Sequence, residues 1–145
     1  MATQLQLRRG TAAENAVFTG AEGELTMSTD TKALQIHDGS TTGGFMVDTV
    51  VAFQKPTAGN NYTWYRKYAS GWVEQGGIKQ TTNARINVTL PVEMSDSNYT
   101  IQVSSQAARY AVIDSTNVPT ATTFEAWISD NYNGVIHWEV KGLAA

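Results

Sequence analysis

Gln6-Leu-Arg-Arg-Gly-Thr-Ala-Ala-Glu14, followed by Gly23-Glu-Leu-Thr-Met-Ser-Thr-Asp-Thr-Lys-Ala-Leu-Gln-Ile-His-Asp-Gly-Ser-Thr-Thr-Gly-Gly44, is the stretch on which the fold turns. Leu5 and Leu7 alternate with polar residues, the period of a strand with one buried face. Gly10 interrupts it, and Thr11-Ala-Ala-Glu14 has the spacing of a capping box opening one helical turn. Two short alternating runs follow, Glu24 to Ser28 and Ala33 to His37, with Leu25 and Met27 sharing one face and Leu34 and Ile36 another. Thr29-Asp-Thr-Lys32 joins them through side chains that bond their own backbone. Asp38-Gly39-Ser40 ends the second run, because glycine accepts a positive φ without strain.

This unit falls short of a self-sufficient domain. Three strands of about five residues and one helical turn leave too many open edges to stand alone in water. Leu5, Leu7, Val17, Phe18, Leu25, Met27, Leu34 and Ile36 are a small core for roughly 45 residues. A partner surface has to complete it, and further copies of the same chain are the simplest source. The stretch reads as an assembly module.

The blocks Arg8-Arg9-Gly10-Thr11-Ala12-Ala13-Glu14, Glu22-Gly23-Glu24-Leu25, Asp30-Thr31-Lys32-Ala33-Leu34 and His37-Asp38-Gly39-Ser40-Thr41 resemble, in order and spacing, the N-terminal module of many bacteriophage tail-fibre proteins. The phage major tropism determinant and phage hyaluronate lyases are in that group. The resemblance implies an intertwined trimeric β-module at residues 1–48 that fastens the fibre to the virion. Leu5, Leu7, Arg8, Arg9, Leu25, Leu34 and Ile36 are the expected trimerisation and attachment residues. Asn15 departs from the pattern, since relatives often carry an aromatic there.

The 145 residues suit one medium domain or two small ones. Apolar residues make up 41% and charged residues only 16%, so Thr, Ser, Asn, Gln and Gly carry the polarity, as in turn-rich β proteins. A net charge of −3 argues against binding nucleic acid by neutralising its backbone. Arg8-Arg9 is the only adjacent arginine pair, read as one exposed and one paired with a carboxylate. Without cysteine, neither disulfides nor thiolate metal sites are available. No secretory apolar core follows Met1, so the sequons at Asn61, Asn87 and Asn98 are expected to be ordinary polar strand and turn residues. No apolar run approaches membrane-spanning length.

Phe45 to Phe53 is apolar enough for a further strand, and residues 49–61 read as a linker or axial strand, with Gln54-Lys-Pro-Thr-Ala-Gly-Asn-Asn61 a loop by composition. Residues 62–145 then give strand after strand. Tyr62 to Tyr68 and Trp72 to Gln75 form a hairpin about Ala69-Ser70-Gly71. Ile86 to Leu90, Tyr99 to Ser104, Arg109 to Ile113 and Thr123 to Ser129 alternate likewise. Asp130-Asn-Tyr-Asn-Gly134 is expected as a hairpin loop before Val135 to Lys141. Helical periodicity is absent beyond residue 18. Short strands punctuated by turns predict an all-β chain ending in a β-sandwich-like domain.

Trp64-Tyr-Arg-Lys-Tyr68, Gly71-Trp72-Val73-Glu74-Gln75-Gly76-Gly77 and Trp138-Glu-Val-Lys-Gly-Leu143 are similar to a C-terminal domain of many phage and prophage tail fibres. That resemblance implies a trimeric distal tip facing the host surface. Relatives often carry cysteine where this chain has Val73.

Catalytic and cofactor signatures are missing. No nucleophile elbow, phosphate loop or His-Glu-x-x-His occurs, and no local motif offers the carboxylate pair, about 5 to 10 Å apart, of a glycosidase. Asp30, Asp38, Asp96, Asp114 and Asp130 fall mostly in expected turns. His37 lies in a turn block. His137 faces away from the core and is weighed below an ordinary solvated histidine as a metal ligand on a threefold axis. Trp127, Asn131, Tyr132 and Asn133 are the candidate receptor contacts, because exposed aromatic and amide groups stack on sugars and bond hydroxyls. Trp64, Tyr68, Trp72 and Trp138 read as sheet core or subunit contacts.

Together these readings describe a homotrimeric phage tail-fibre or receptor-binding protein of the virion, assembled in the host bacterial cytoplasm. It would attach by adhesion without catalysis or cofactor. Its N-terminal module would hold a tail or baseplate protein, and its tip a bacterial polysaccharide, lipopolysaccharide or outer-membrane protein. The alternative is a purely structural virion part such as a collar fibre, decoration spike or connector.

Overall fold

The computed structural model describes residues 6–82, 84–106, 109–114 and 116–145. The chain divides into two compact units, Met1–Val51 with Tyr68–Ser70, and Ala52–Lys67 with Gly71–Ala145. Among the described residues no helix is long and apolar enough to cross a membrane.

The first unit is a four-stranded sheet in the order β1-β2-β3-β4. Its strands are β1 (Arg8–Gly10), β2 (Leu25–Ser28), β3 (Leu34–Ile36) and β4 (Phe45–Val47). β1 runs parallel to β2, and the other pairs are antiparallel. A single helical turn, α1 (Ala12–Ala16), separates β1 from β2. The capping box forms as its spacing requires: Thr11 Oγ1 accepts from the Glu14 N–H at 3.2 Å, and Glu14 Oε2 accepts from the Thr11 N–H at 2.7 Å. The Asp30 carboxylate accepts from the Ala12 N–H at 2.9 Å, tying the β2–β3 turn to the helix start.

The faces of this sheet are sorted opposite to the usual rule. Leu25, Ile36 and Phe45 stand in one cross-strand row, and Met27, Leu34 and Val47 in the next. Leu25 and Met27 do share a face, but it is not the interior of a single chain: the buried residues of β2 are Thr26 and Ser28. Ile36, Phe45 and Val47 are exposed, Phe45 by 57%. The interior is polar because α1 and the following loop fold over Thr26 and Ser28. The run from Phe45 to Phe53, expected as one strand, is two, β4 and β5 (Val50–Gln54), which belong to different sheets.

β5 opens the five-stranded sheet β5-β6-β7-β12-β9, built with β6 (Trp64–Tyr68), β7 (Trp72–Thr81), β9 (Thr100–Ser105) and β12 (Gly134–Leu143). A second sheet has the order β10-β11-β8, from β8 (Ile86–Thr89), β10 (Ala111–Ile113) and β11 (Thr123–Ile128). The two faces meet over Val88, Phe124, Ala126 and Ile128 on one side and Ile136, Trp138 and Val140 on the other. Phe124 and Trp138 pack edge to face, centroids 6.0 Å apart. β6 and β7 make the expected hairpin, although its first strand starts at Trp64 because Asn61 and Tyr62 adopt left-handed φ values of 54° and 52°.

Asp130 to Gly134 is not a hairpin loop. It carries the chain from β11 in one sheet to β12 in the other, through a short 3-10 turn at Ser129–Asn131. β12 pairs with β7 along all ten of its residues, and that ladder outcompetes a local pairing with β11.

Candidate functional site

The polar interior of the first unit is a chain of directed hydrogen bonds. The Gly20 N–H donates to His37 Nδ1 at 3.2 Å, so the ring proton sits on Nε2 and is donated to Thr26 Oγ1 at 3.0 Å. Thr26 in turn donates to Gln35 Oε1 at 3.1 Å. Gly20 and Gly44 have no side chains because there is no room: a Cβ would lie 2.6 Å from His37 Cγ at Gly20 and 2.8 Å from Nδ1 at Gly44. His37, in the turn block of the sequence reading, is buried and accepts from backbone there. Asn15 is buried and donates to Ser28 Oγ at 3.1 Å. The Asp38 carboxyl is held well below the ordinary carboxylate range by the Thr41 and Ser40 N–H groups and the Thr41 hydroxyl.

The residues expected to serve assembly lie around this interior. Arg8 pairs with Glu24 at 2.7 Å and covers the Phe18 ring at 4.4 Å, while Arg9 is exposed. Leu7 and Ile36 are exposed, Leu25 and Leu34 half-buried, and Leu5 lies outside the described residues.

In the second unit the expected receptor contacts occupy separate elements. Trp127 is half-buried on the outer face of the three-stranded sheet, opposite Val112. Tyr132 is 46% exposed, with the Arg109 guanidinium 5.6 Å from its ring centroid and Arg109 paired to Asp130 at 2.6 Å. Asn133 is exposed, and the side chain of Asn131 lies outside the described residues. His137 is exposed on the outer face of the five-stranded sheet, opposite Ile78 and Ser104. No group of three or more metal-ligating side chains gathers among the described residues.

The Glu74-Gln75-Gly76-Gly77 block has a structural explanation. Gln75 is fully buried and clips a loop to the sheet: Oε1 accepts from the Val92 N–H at 2.9 Å, and Nε2 donates to the Val92 carbonyl at 2.9 Å. A Cβ at Gly76 would stand 2.9 Å from Trp64 Nε1, so the indole lies on bare backbone. Trp64, read from the sequence as sheet core or subunit contact, therefore belongs to the outer face of the five-stranded sheet. Only Trp138 of the four tryptophans is fully in the core, and Trp72 is 40% exposed.

On that outer face the register sets Gln102, Glu139, Gly76 and Trp64 in one row, and Ser104, His137 and Ile78 in the next. All of these but Gly76 line a groove of about 1140 Å³ that also takes in Tyr62, Gly77 and Gln106 and extends to Ala111 and Ile113. The groove was invisible in the sequence, where nothing sets Trp64 opposite the Gly76-Gly77 pair. It lies in mid-strand, and an unexpected glycine pair inside a strand is the signal that could have found it.

Residues 5–41 match the family model described as the major tropism determinant N-terminal domain. A curated relative, the tail fiber receptor-binding protein of Bordetella phage BPP-1, is 51% identical over 45 residues, 31% of this chain. The chain spans 12% of the length of that protein. A solved major tropism determinant, the P3c variant, is 32% identical over 43% of this chain and 20% of its own, with a TM-score of 0.29. The C-terminal part of the P. aeruginosa R2 pyocin fiber matches 97% of this chain and 37% of its own length, at 14% identity and a TM-score of 0.52, a likeness of fold. Residues 5–41 are thus similar to the major tropism determinant N-terminal domain, the first 45 or so residues to a phage tail-fibre receptor-binding protein, and the chain as a whole is nearly all β.

Proposed function

We propose that this chain is a homotrimeric fibre protein of the virion that attaches a phage to a bacterial surface receptor by adhesion, without catalysis. The inverted first unit carries this reading: polar groups fill its interior, while the rows Leu25–Ile36–Phe45 and Met27–Leu34–Val47 form an apolar face that one chain leaves open. Copies of the same chain would cover that face around a threefold axis. The module would also hold the tail or baseplate. The second unit would present three equivalent tips to a polysaccharide, lipopolysaccharide or outer-membrane protein, and three weak contacts would add up through effective concentration. Two of its carboxylates serve structure: Asp96 accepts from the Asn98 N–H and Asp114 from the Thr116 N–H.

Two measurements test the proposal. Light scattering of the purified protein should give three times the chain mass, and the trimer should block phage adsorption to host cells in competition. A cooperatively folding monomer at working concentration refutes the assembly. A trimer that neither binds cells nor competes refutes the adhesion and leaves a structural virion part.

A further inference from the structure

From the outer face of the five-stranded sheet we infer a glycan-binding site, centred on Trp64 and the ranks Gln102–Glu139 and Ser104–His137. It rests on the proposed attachment function and locates the receptor contact away from Tyr132 and its neighbours.

Trp64 lies with one side on the backbone of Gly76 and remains only half-buried, so its indole is an apolar platform facing the groove. An aromatic surface of this kind takes the C–H face of a sugar ring. Beside it, Gln102, Ser104, Gln106 and His137 are exposed, and among the described residues no side-chain hydrogen bond engages them. They offer amide, hydroxyl and imidazole donors and acceptors at the regular spacing of adjacent strands, about 4.8 Å across the sheet. Glu139 is neutralised by Lys141 at 3.1 Å, so this part of the groove holds no uncompensated charge.

The occupant follows from that chemistry. An anionic polymer would need free cations, whereas on this face Lys141 pairs with Glu139 at 3.1 Å and Arg66 stands directly opposite Glu74. An extended peptide adding to the sheet would need a free edge, and this surface is the sheet's face. An apolar platform ringed by uncharged polar groups matches a neutral polyhydroxylated chain, and the groove's length across four strands admits more than one sugar.

The test uses the full-length protein against immobilised bacterial O-antigen and capsular polysaccharides, and against host cells before and after their surface glycans are stripped. Four variants are compared with the wild type: Trp64→Ala, Trp64→Phe, Gln102→Ala and, as a control at an exposed position outside the groove, Val118→Ala. Trp64→Ala is expected to raise the dissociation constant for the glycan about tenfold or more, the scale of one lost aromatic contact. Gln102→Ala, a surface change that spares the fold, should raise it about fivefold, one hydrogen bond's worth. Trp64→Phe should retain most binding, and Val118→Ala all of it. Wild-type affinity in Gln102→Ala together with Trp64→Ala overturns the site while leaving attachment intact. Undiminished binding to stripped cells also overturns it, in favour of a protein receptor. Failure of the wild type to bind unstripped cells removes the attachment reading, and the inference with it.

Discussion

Replacing Gln75 by leucine should cost the second unit more than its unchanged volume suggests. The side chain is fully buried, and both halves of its amide are engaged with one residue, Val92, at 2.9 Å each, with Met94 Sδ 3.0 Å from Nε2. Leucine fills the space but leaves the Val92 N–H and carbonyl without partners, at about 1–3 kcal/mol for each group kept from water. Val92 is half-buried, so solvent recovers part of this, and the expected net loss is about 2–3 kcal/mol. In urea the midpoint should fall by about 1 M with the slope unchanged, and the melting temperature by about 10 °C or more. Gln75→Glu keeps the acceptor for the Val92 N–H but buries a charge, so it should be worse than leucine at neutral pH and recover on acidification, when the protonated carboxyl can donate to Val92 again. A Gln75→Leu protein within 0.5 kcal/mol of wild type, or a Gln75→Glu protein indifferent to pH, would refute the clip as the reason for this residue.

Gly20→Ala drives a methyl to within 2.6 Å of His37 Cγ and should destabilise the first unit by about 2 kcal/mol or more, read as faster amide exchange around Thr26 and His37. Phe45→Glu puts a charge on the open apolar face and should convert the proposed trimer to monomer in light scattering while leaving the melting of the second unit in place. The Asp114 carboxyl is held below its ordinary range by the Thr116 hydroxyl and N–H and by Arg85 at 2.6 Å. A lowered native pKa stabilises above the unfolded value, so this contribution is complete at neutral pH and is lost as pH falls below about 4. Asp114→Asn should flatten that acid limb in denaturation followed from pH 6 to pH 2.

The local structure of the first unit was legible because each piece is decided within a few residues. The Thr11–Glu14 capping box, the turn at Thr29–Lys32 and the glycine after Asp38 need no distant partner, and all form as spaced. Pairs such as Leu25 with Met27 follow from the two-residue period of any strand. The alternation of β12 likewise put Ile136, Trp138 and Val140 on one face and His137 on the other.

What alternation could not supply is which face turns inward and which strands meet. The polar side of β2 is inside because α1 and the loop at Gly20 close over it, a contact between residues far apart in the chain. Asp130–Gly134 carries every mark of a hairpin loop, yet β12 leaves β11 for the ten-residue ladder on β7, since more backbone pairs form there than a local return allows. The position of Trp64 was open for the same reason. Its side chain takes the outer face only because the register sets it opposite Gly76, and register is fixed when the whole sheet assembles.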